Sequence, residues 1–217
     1  MHIPRAVNVR MRQPRDPVIR AATVCLAWFV AVVVAEHALR SDLSPGEHRI
    51  SEYAVGSGGW LMTTGFLAWA LAFALTAVAL QRLPLRSSPV GRALTALLAL
   101  CAIGALGTAL FETGTSAGMV PPGARLTAAN HVHDVASAVL QASLVAAILC
   151  ALTLDDWSRL RSTTIALLVA ALAISLLFSG AGFGLPGVRQ RVLVAIGCAW
   201  HFLLLRALTA GAPARAA

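Results

Sequence analysis

Six apolar runs, each near or above the roughly 17–25 residues that a helix needs to cross hydrocarbon, take up most of this chain. They extend from about Val18 to Leu39, Ser57 to Leu80, Ala93 to Phe111, Ala128 to Leu154, Thr163 to Gly182 and Val192 to Ala210. Inside lipid every backbone N–H and C=O has to be paired within the protein, so only helices and closed barrels span. The short alternating strands of a barrel are nowhere delimited. The expectation is therefore an all-α integral membrane protein, a six-transmembrane-helix bundle whose short connections make consecutive helices antiparallel neighbours. It divides into a basic tail over residues 1–17, a membrane domain over 18–210 and a short tail over 211–217. No separate soluble domain fits in 217 residues once the spans are subtracted.

Composition points the same way: 58% of residues are hydrophobic and 12% charged, against about 45–50% and about 25% in soluble domains. The formal charge of +8 would suggest nucleic acid in a soluble chain. These arginines flank apolar runs without forming a basic face of their own, so nucleic acid is not an expected partner. They read instead as a topology signal and a contact with lipid headgroups. Arg5, Arg10, Arg12, Arg15, Arg20, Arg82, Arg86, Arg92, Arg159, Arg161, Arg206 and Arg215 fall on one side of the alternating loops. Only Arg40, Arg49, Arg125, Arg189 and Arg191 fall on the other. Because positive flanks are retained inside during insertion, both termini are expected in the cytoplasm, with the chain in a bacterial cytoplasmic membrane.

The first run shares a basic start, an apolar stretch from Ala21 to Ala35 and small residues near its end with secretory signals. It is read as a retained span; cleavage would leave five spans and discard Glu36 and His37. Cys25, Cys101, Cys150 and Cys198 all lie in apolar runs and show no C-x-x-C spacing, so they read as small buried hydrophobes.

This topology gathers chemistry on the outer face. Six of the nine acidic residues, Glu36, Asp42, Glu47, Glu52, Glu112 and Asp134, and four of the six histidines, His37, His48, His131 and His133, lie there. Glu112 ends the third run, and Asn130, His131, His133 and Asp134 open the fourth, close to hydrocarbon where ionisable groups are costly. Spacings of three and four put Asn130, His131 and Asp134 on one helical face, with His133 pointing elsewhere. Two histidines two apart do not share a face, so no metal site is expected, and no cofactor motif occurs. A histidine beside a carboxylate in a low-dielectric cleft makes a good general acid or base. Glu112, His133 and Asp134 are therefore the candidate catalytic set, converging near the outer boundary. Ser51, Glu52, Tyr53, Trp60, Asn130, His131 and Arg191 are the candidate substrate-binding set. Arg191 is expected to find a carboxylate partner in Glu112 or Glu52. Gly104 and Gly107 read as a close helix contact, and His201, inside the last run, as an interhelical histidine with its hydrogen bond satisfied.

The segment Ser51-Glu52-Tyr53 through Gly56 to Trp60-Leu61-Met62, with Phe111 and Thr113, His133, and Gly187 with Gln190-Arg191, resembles the bacterial and archaeal membrane family catalogued as domain of unknown function 998. The resemblance extends from the first span to the last. It implies a six-span bundle with shared polar residues on the outer face, and no established activity. Where the family usually has Phe-Pro-Thr-Asp this chain has Phe111-Glu112-Thr113-Gly114, and Asn130 stands where the family has Gly.

Two functions fit these residues. One is a non-catalytic membrane protein that binds a lipid or isoprenoid, with membrane lipids as its partners and the polar cluster as a structural network. The other is an intramembrane enzyme using Glu112, His133 and Asp134 for acid–base chemistry on a lipid or isoprenoid, for example a cyclisation. Transport lacks the support of an inverted repeat or paired broken helices.

Overall fold

The computed structural model describes residues 16–154, 162–169 and 185–210. Among these, five helices are long and apolar enough to cross a membrane: α1 (Pro17–Leu39), α2 (Trp60–Gln81), α3 (Pro89–Leu110), α4 (Ala128–Ala151) and α6 (Pro186–Ala210). Residues 162–169 form a further helical stretch, α5. The rest of the expected fifth span, the loop carrying Arg159 and Arg161, and nearly all of both expected tails lie outside the described residues. The chain is thus all-helical and multi-pass, with no strand among the described residues.

Helix ends follow local chemistry more closely than hydropathy. Asp16 caps α1 by accepting from the Val18 N–H at 2.8 Å, with Pro17 in the first turn. Ser88 caps α3 by accepting from the Gly91 N–H at 3.0 Å, with Pro89 following. A proline there loses no hydrogen bond, because the first N–H groups of a helix have no intrahelical partner. α3 therefore begins four residues before the apolar run and includes Arg92. Likewise α6 begins at Pro186, six residues before Val192, and carries Arg189, Gln190 and Arg191 in its first turns.

The helices alternate in direction. At one end Arg82, just past α2, reaches Asp16 at 3.5 Å, and the Cys150 thiol of α4 reaches the Val90 carbonyl of α3 at 3.6 Å. At the other end Arg191 of α6 meets His37 of α1. α1 packs on α2, α2 on α3, α3 on α4 and α6 on α1. Phe29 stacks on Trp69 with ring centroids 4.3 Å apart, and Phe73 stacks on His201 at 4.6 Å. Thr76 gives its hydroxyl proton to the Ala72 carbonyl at 2.7 Å, so its oxygen accepts from His201 Nε2 at 2.8 Å. That fixes the imidazole tautomer and ties α6 to α2. The other ring nitrogen, Nδ1, is buried without a partner among the described residues.

α3 and α4 meet through Gly104 and Gly107, as their spacing predicts. A Cβ on Gly104 would lie 2.7 Å from the Ala136 carbonyl oxygen and the Leu140 nitrogen, and one on Gly107 would lie 2.6 Å from the Ala136 Cβ. In lipid, van der Waals contact between backbones is a main cohesive term between helices. Gly104→Leu is expected to lower the melting temperature in detergent, at a cost of about 1–3 kcal/mol or more from overpacking. Unchanged melting would show that α3 and α4 do not approach this closely.

Candidate functional site

The loop between α1 and α2 folds back over the bundle instead of projecting from it. Its 3-10 turn, Ile50–Ala54, buries Ile50, Ser51, Glu52 and Tyr53. Gly59 makes the return possible: a Cβ there would sit 1.9 Å from the Ala54 carbonyl oxygen. Arg40, at the end of α1, donates through Nη1 to the carbonyls of Tyr53 at 3.3 Å and Val55 at 3.1 Å. It also pairs with Asp42 at 3.0 Å. This guanidinium holds the exposed Asp42 carboxyl below its ordinary range. Gln190 Oε1 accepts from the Ile50 N–H at 2.6 Å. Gly187 lets α6 press on the preceding turn, since a Cβ there would lie 2.4–2.8 Å from the carbonyl oxygens of Pro45, His48 and Gly46. The 3-10 turn is thus a roof tied to α1 and α6.

Arg191 is the centre of that tie, and its partners differ from the expected carboxylate. Nε donates to His37 Nε2 at 2.8 Å, and Nη1 donates to the carbonyls of His48 at 2.6 Å and Gly187 at 3.1 Å. The guanidinium carbon lies 5.2 Å from the centre of the Tyr53 ring. His37 Nδ1 is hydrogen-bonded to the Val33 carbonyl, which only accepts, so Nδ1 carries the proton and the Nε2 lone pair faces Arg191. A neutral imidazole, two carbonyls and a ring face take the place of Glu112 or Glu52. Nη2 is buried with no partner among the described residues.

Tyr53 donates its hydroxyl to the Leu43 carbonyl at 3.1 Å, and burial pushes its phenol above the ordinary value against the opposing influence of Arg191. Tyr53 is the only tyrosine of the chain, so phenolate absorbance reports this one group. It is expected to titrate above the reference of about 10. Because the folded pKa is the raised one, the associated stability is present below the unfolded pKa and is lost as pH rises through the folded one. A titration midpoint at or below the reference, in folded protein, would place Tyr53 in water.

Glu52 is spent on a different partner. Its carboxylate, on a side chain in a residue only 4% exposed, accepts from Thr115 Oγ1 and the Gly118 N–H through Oε1 and from the Ala117 N–H through Oε2, each at 2.9 Å. Ser116 and Met119 exchange backbone hydrogen bonds at 2.8 and 3.0 Å around Ala117 at φ 50° and Gly118 at φ 75°. Two successive positive φ values define a type I′ turn, which aims consecutive N–H groups at one point and makes a natural anion cradle. Ala117 occupies a conformation that costs a non-glycine residue roughly 1–2 kcal/mol, and the carboxylate bonds offset it.

The candidate catalytic residues do not converge as buried groups. His133 is 3% exposed and donates from Nδ1 to the Phe111 carbonyl at 2.7 Å, closing the α3–α4 connection. Glu112 and Asp134 are exposed, as is His131. Helical spacing separates His131 and Asp134 from the buried side of α4 that carries His133, whereas Asn130, three residues before His133, lies on that side. Asn130 is a capping residue, its Oδ1 accepting from the Thr127 N–H at 2.9 Å while the Thr127 hydroxyl accepts from the Asn130 N–H at 3.3 Å. Its Nδ2 donates to the Glu112 carbonyl at 2.9 Å. Trp60 is exposed at the start of α2. Sequence reasoning missed Arg40, Gln190 and Thr115 as members of the network at the roof end. Arg40 and Gln190 carried a signal, as polar residues within a turn or two of a span end. Thr115 carried none. No group of three or more possible metal ligands occurs among the described residues.

Beneath the roof lies a cavity of about 120 Å³ between α2, α3, α4, α5 and α6. Phe66, Trp69, Leu140, Leu144, Ile148 and Val194 make its walls, and Ser51, Thr108, Ser137, Gln141 and Gln190 supply its polar atoms. The indole N–H of Trp69 is buried without a hydrogen-bond partner among the described residues.

No curated protein and no solved structure matches this chain. The family model described as "Protein of unknown function (DUF998)" matches residues 23–207, from the first turns of α1 to the last turns of α6. The roof, the Arg191 tie and the Glu52 cradle all lie inside that stretch, and the chain belongs to the DUF998 family.

Proposed function

We propose that this protein is a non-catalytic lipid-binding membrane protein of the bacterial cytoplasmic membrane. In this reading both termini are cytoplasmic and the roofed cavity faces outward, holding part of a lipid or isoprenoid chain. The cavity carries the reading. Its volume of about 120 Å³ is close to the roughly 150 Å³ apolar cavity that accepts benzene, which suits an isoprene-sized unit. Hydroxyls and amides beside apolar walls are the lining expected for a chain with a polar end. The arginine distribution supports the orientation.

Acid–base catalysis by Glu112, His133 and Asp134 draws no comparable support, since two of the three side chains are exposed and the third is turned to a backbone carbonyl. The reading is tested by native mass spectrometry of protein extracted from membranes. A retained lipid is expected on the wild type and should be lost on Val194→Phe, which fills the cavity, while melting is maintained. Equal retention by the filled variant would overturn the assignment of the cavity.

A further inference from the structure

At the end of the bundle opposite the roof, a second cleft of about 570 Å³ opens between α2 and α3. It is lined by Gln81, Arg86, Ser87, Arg92, Thr95 and the small residues Ala96 and Ala99. No carboxylate among the described residues lines it. Among the described residues neither Arg86 nor Arg92 has an ion-pair partner, whereas the neighbouring Arg82 is paired with Asp16. Arg92 donates to the Ser87 carbonyl at 3.3 Å. Among the described residues the side chains of Gln81 and Ser87 have no hydrogen-bond partner, which leaves an amide and a hydroxyl beside the two guanidinium groups.

The cleft does not end in water on all sides. Ala96, Ala99, Leu100 and Ile103 follow at helical spacing down one face of α3, and Leu100 and Ile103 are 43% and 63% exposed. On α2, Val78 precedes Gln81 by three residues and Leu71 lies two turns further, both exposed. Two cations at a span end, without an ion-pair partner among the described residues, thus continue into an apolar surface running roughly 10 Å along the helix from Ala96 to Ile103.

We propose that this cleft is a binding site for an anionic phospholipid. Its phosphate is held by Arg86 and Arg92 with Ser87 and Gln81, and its acyl chain lies along the Ala96–Ile103 face. A guanidinium fork matches phosphate oxygens, and basic pockets between helices at a membrane boundary suit such headgroups. A free phosphate would use the arginines but leave the apolar face without purpose. The site is separate from the roofed cavity and stands or falls independently of it.

The test is native mass spectrometry of the full chain in neutral detergent, with dioleoylphosphatidylglycerol, dioleoylphosphatidylcholine and inorganic phosphate as probes. Phosphatidylglycerol should be retained over phosphatidylcholine, and the double variant Arg86→Gln/Arg92→Gln should lose about 30-fold in that preference. Arg125→Gln, at the other end of the bundle, should keep it. Ala99→Phe, which fills the apolar part of the cleft, should weaken phosphatidylglycerol while leaving both arginines in place. Both arginines are exposed, so melting is expected to hold in the double variant. An unchanged preference in that variant, or the absence of any preference in the wild type, overturns the site. Complete displacement of the lipid by inorganic phosphate, with Ala99→Phe silent, overturns the phospholipid assignment.

Discussion

Glu52→Ala is expected to cost about 3–5 kcal/mol, enough to remove most folded protein from a membrane preparation. The carboxylate accepts from two backbone N–H groups and one hydroxyl in a buried position, and its loss leaves those donors unpaired where water reaches poorly. Hydrogen bonds to a charged acceptor are worth about 1.5–3 kcal/mol each, and an unsatisfied buried donor carries its whole desolvation cost. Glu52→Gln is nearly isosteric, yet it sets an NH2 group against at least one of the same donors, so it should destabilise as well and to a smaller degree. Thr115→Val removes a single hydroxyl donor and should cost about 1 kcal/mol. The ordering Ala worse than Gln, and Gln worse than Thr115→Val, is read from denaturant or thermal unfolding in detergent. Equal and small effects for all three would mean that the turn around Ala117 and Gly118 holds itself without the carboxylate.

Arg191→Ala is expected to be the second largest effect, about 2–4 kcal/mol. The guanidinium joins α6 to His37 of α1, to the turn at His48 and to the Tyr53 ring, so its removal loosens the roof from α6. Because its nitrogen partner is a neutral imidazole, the variant leaves no buried carboxylate behind. Removing the expected Glu112 or Glu52 alongside Arg191 should therefore bring no recovery, as a paired carboxylate would require. Arg191→Lys should rescue little, since one ammonium on a flexible stem does not reproduce a planar fork spread over three acceptors and a ring. Hydrogen exchange of the Ile50–Ala54 amides measures the loosening directly. Protection of those amides unchanged in Arg191→Ala would separate this arginine from the roof.

The positions of the five long spans were legible in the sequence because lipid leaves a segment of about 20 apolar residues few alternatives to a helix. The early starts of α3 and α6 were not read from hydropathy, although Ser88-Pro89 and Pro186 announce them, because charged residues in a first turn lower the average while a cap or proline fixes the end. The gathering of polar residues at one end of the bundle was legible too, and so were Gly104 and Gly107 as contact points. What charge and spacing could not give was partnership. Glu112 and Asp134 drew notice as ionisable groups near hydrocarbon, yet a side chain at a helix end escapes to water by a small rotation. Glu52 and Arg191, natural mates by charge, each found other partners: a turn 63–66 residues further along the chain for one, and a histidine 154 residues away for the other. By itself, the sequence determined a helical, multi-pass membrane protein with one chemically rich end. Only tertiary structure decided which of those groups are buried and which meet, because backbone donors such as those of Ala117 and Gly118, and acceptors such as the His48 carbonyl, are present at nearly every residue and become specific only when the folded chain aims them.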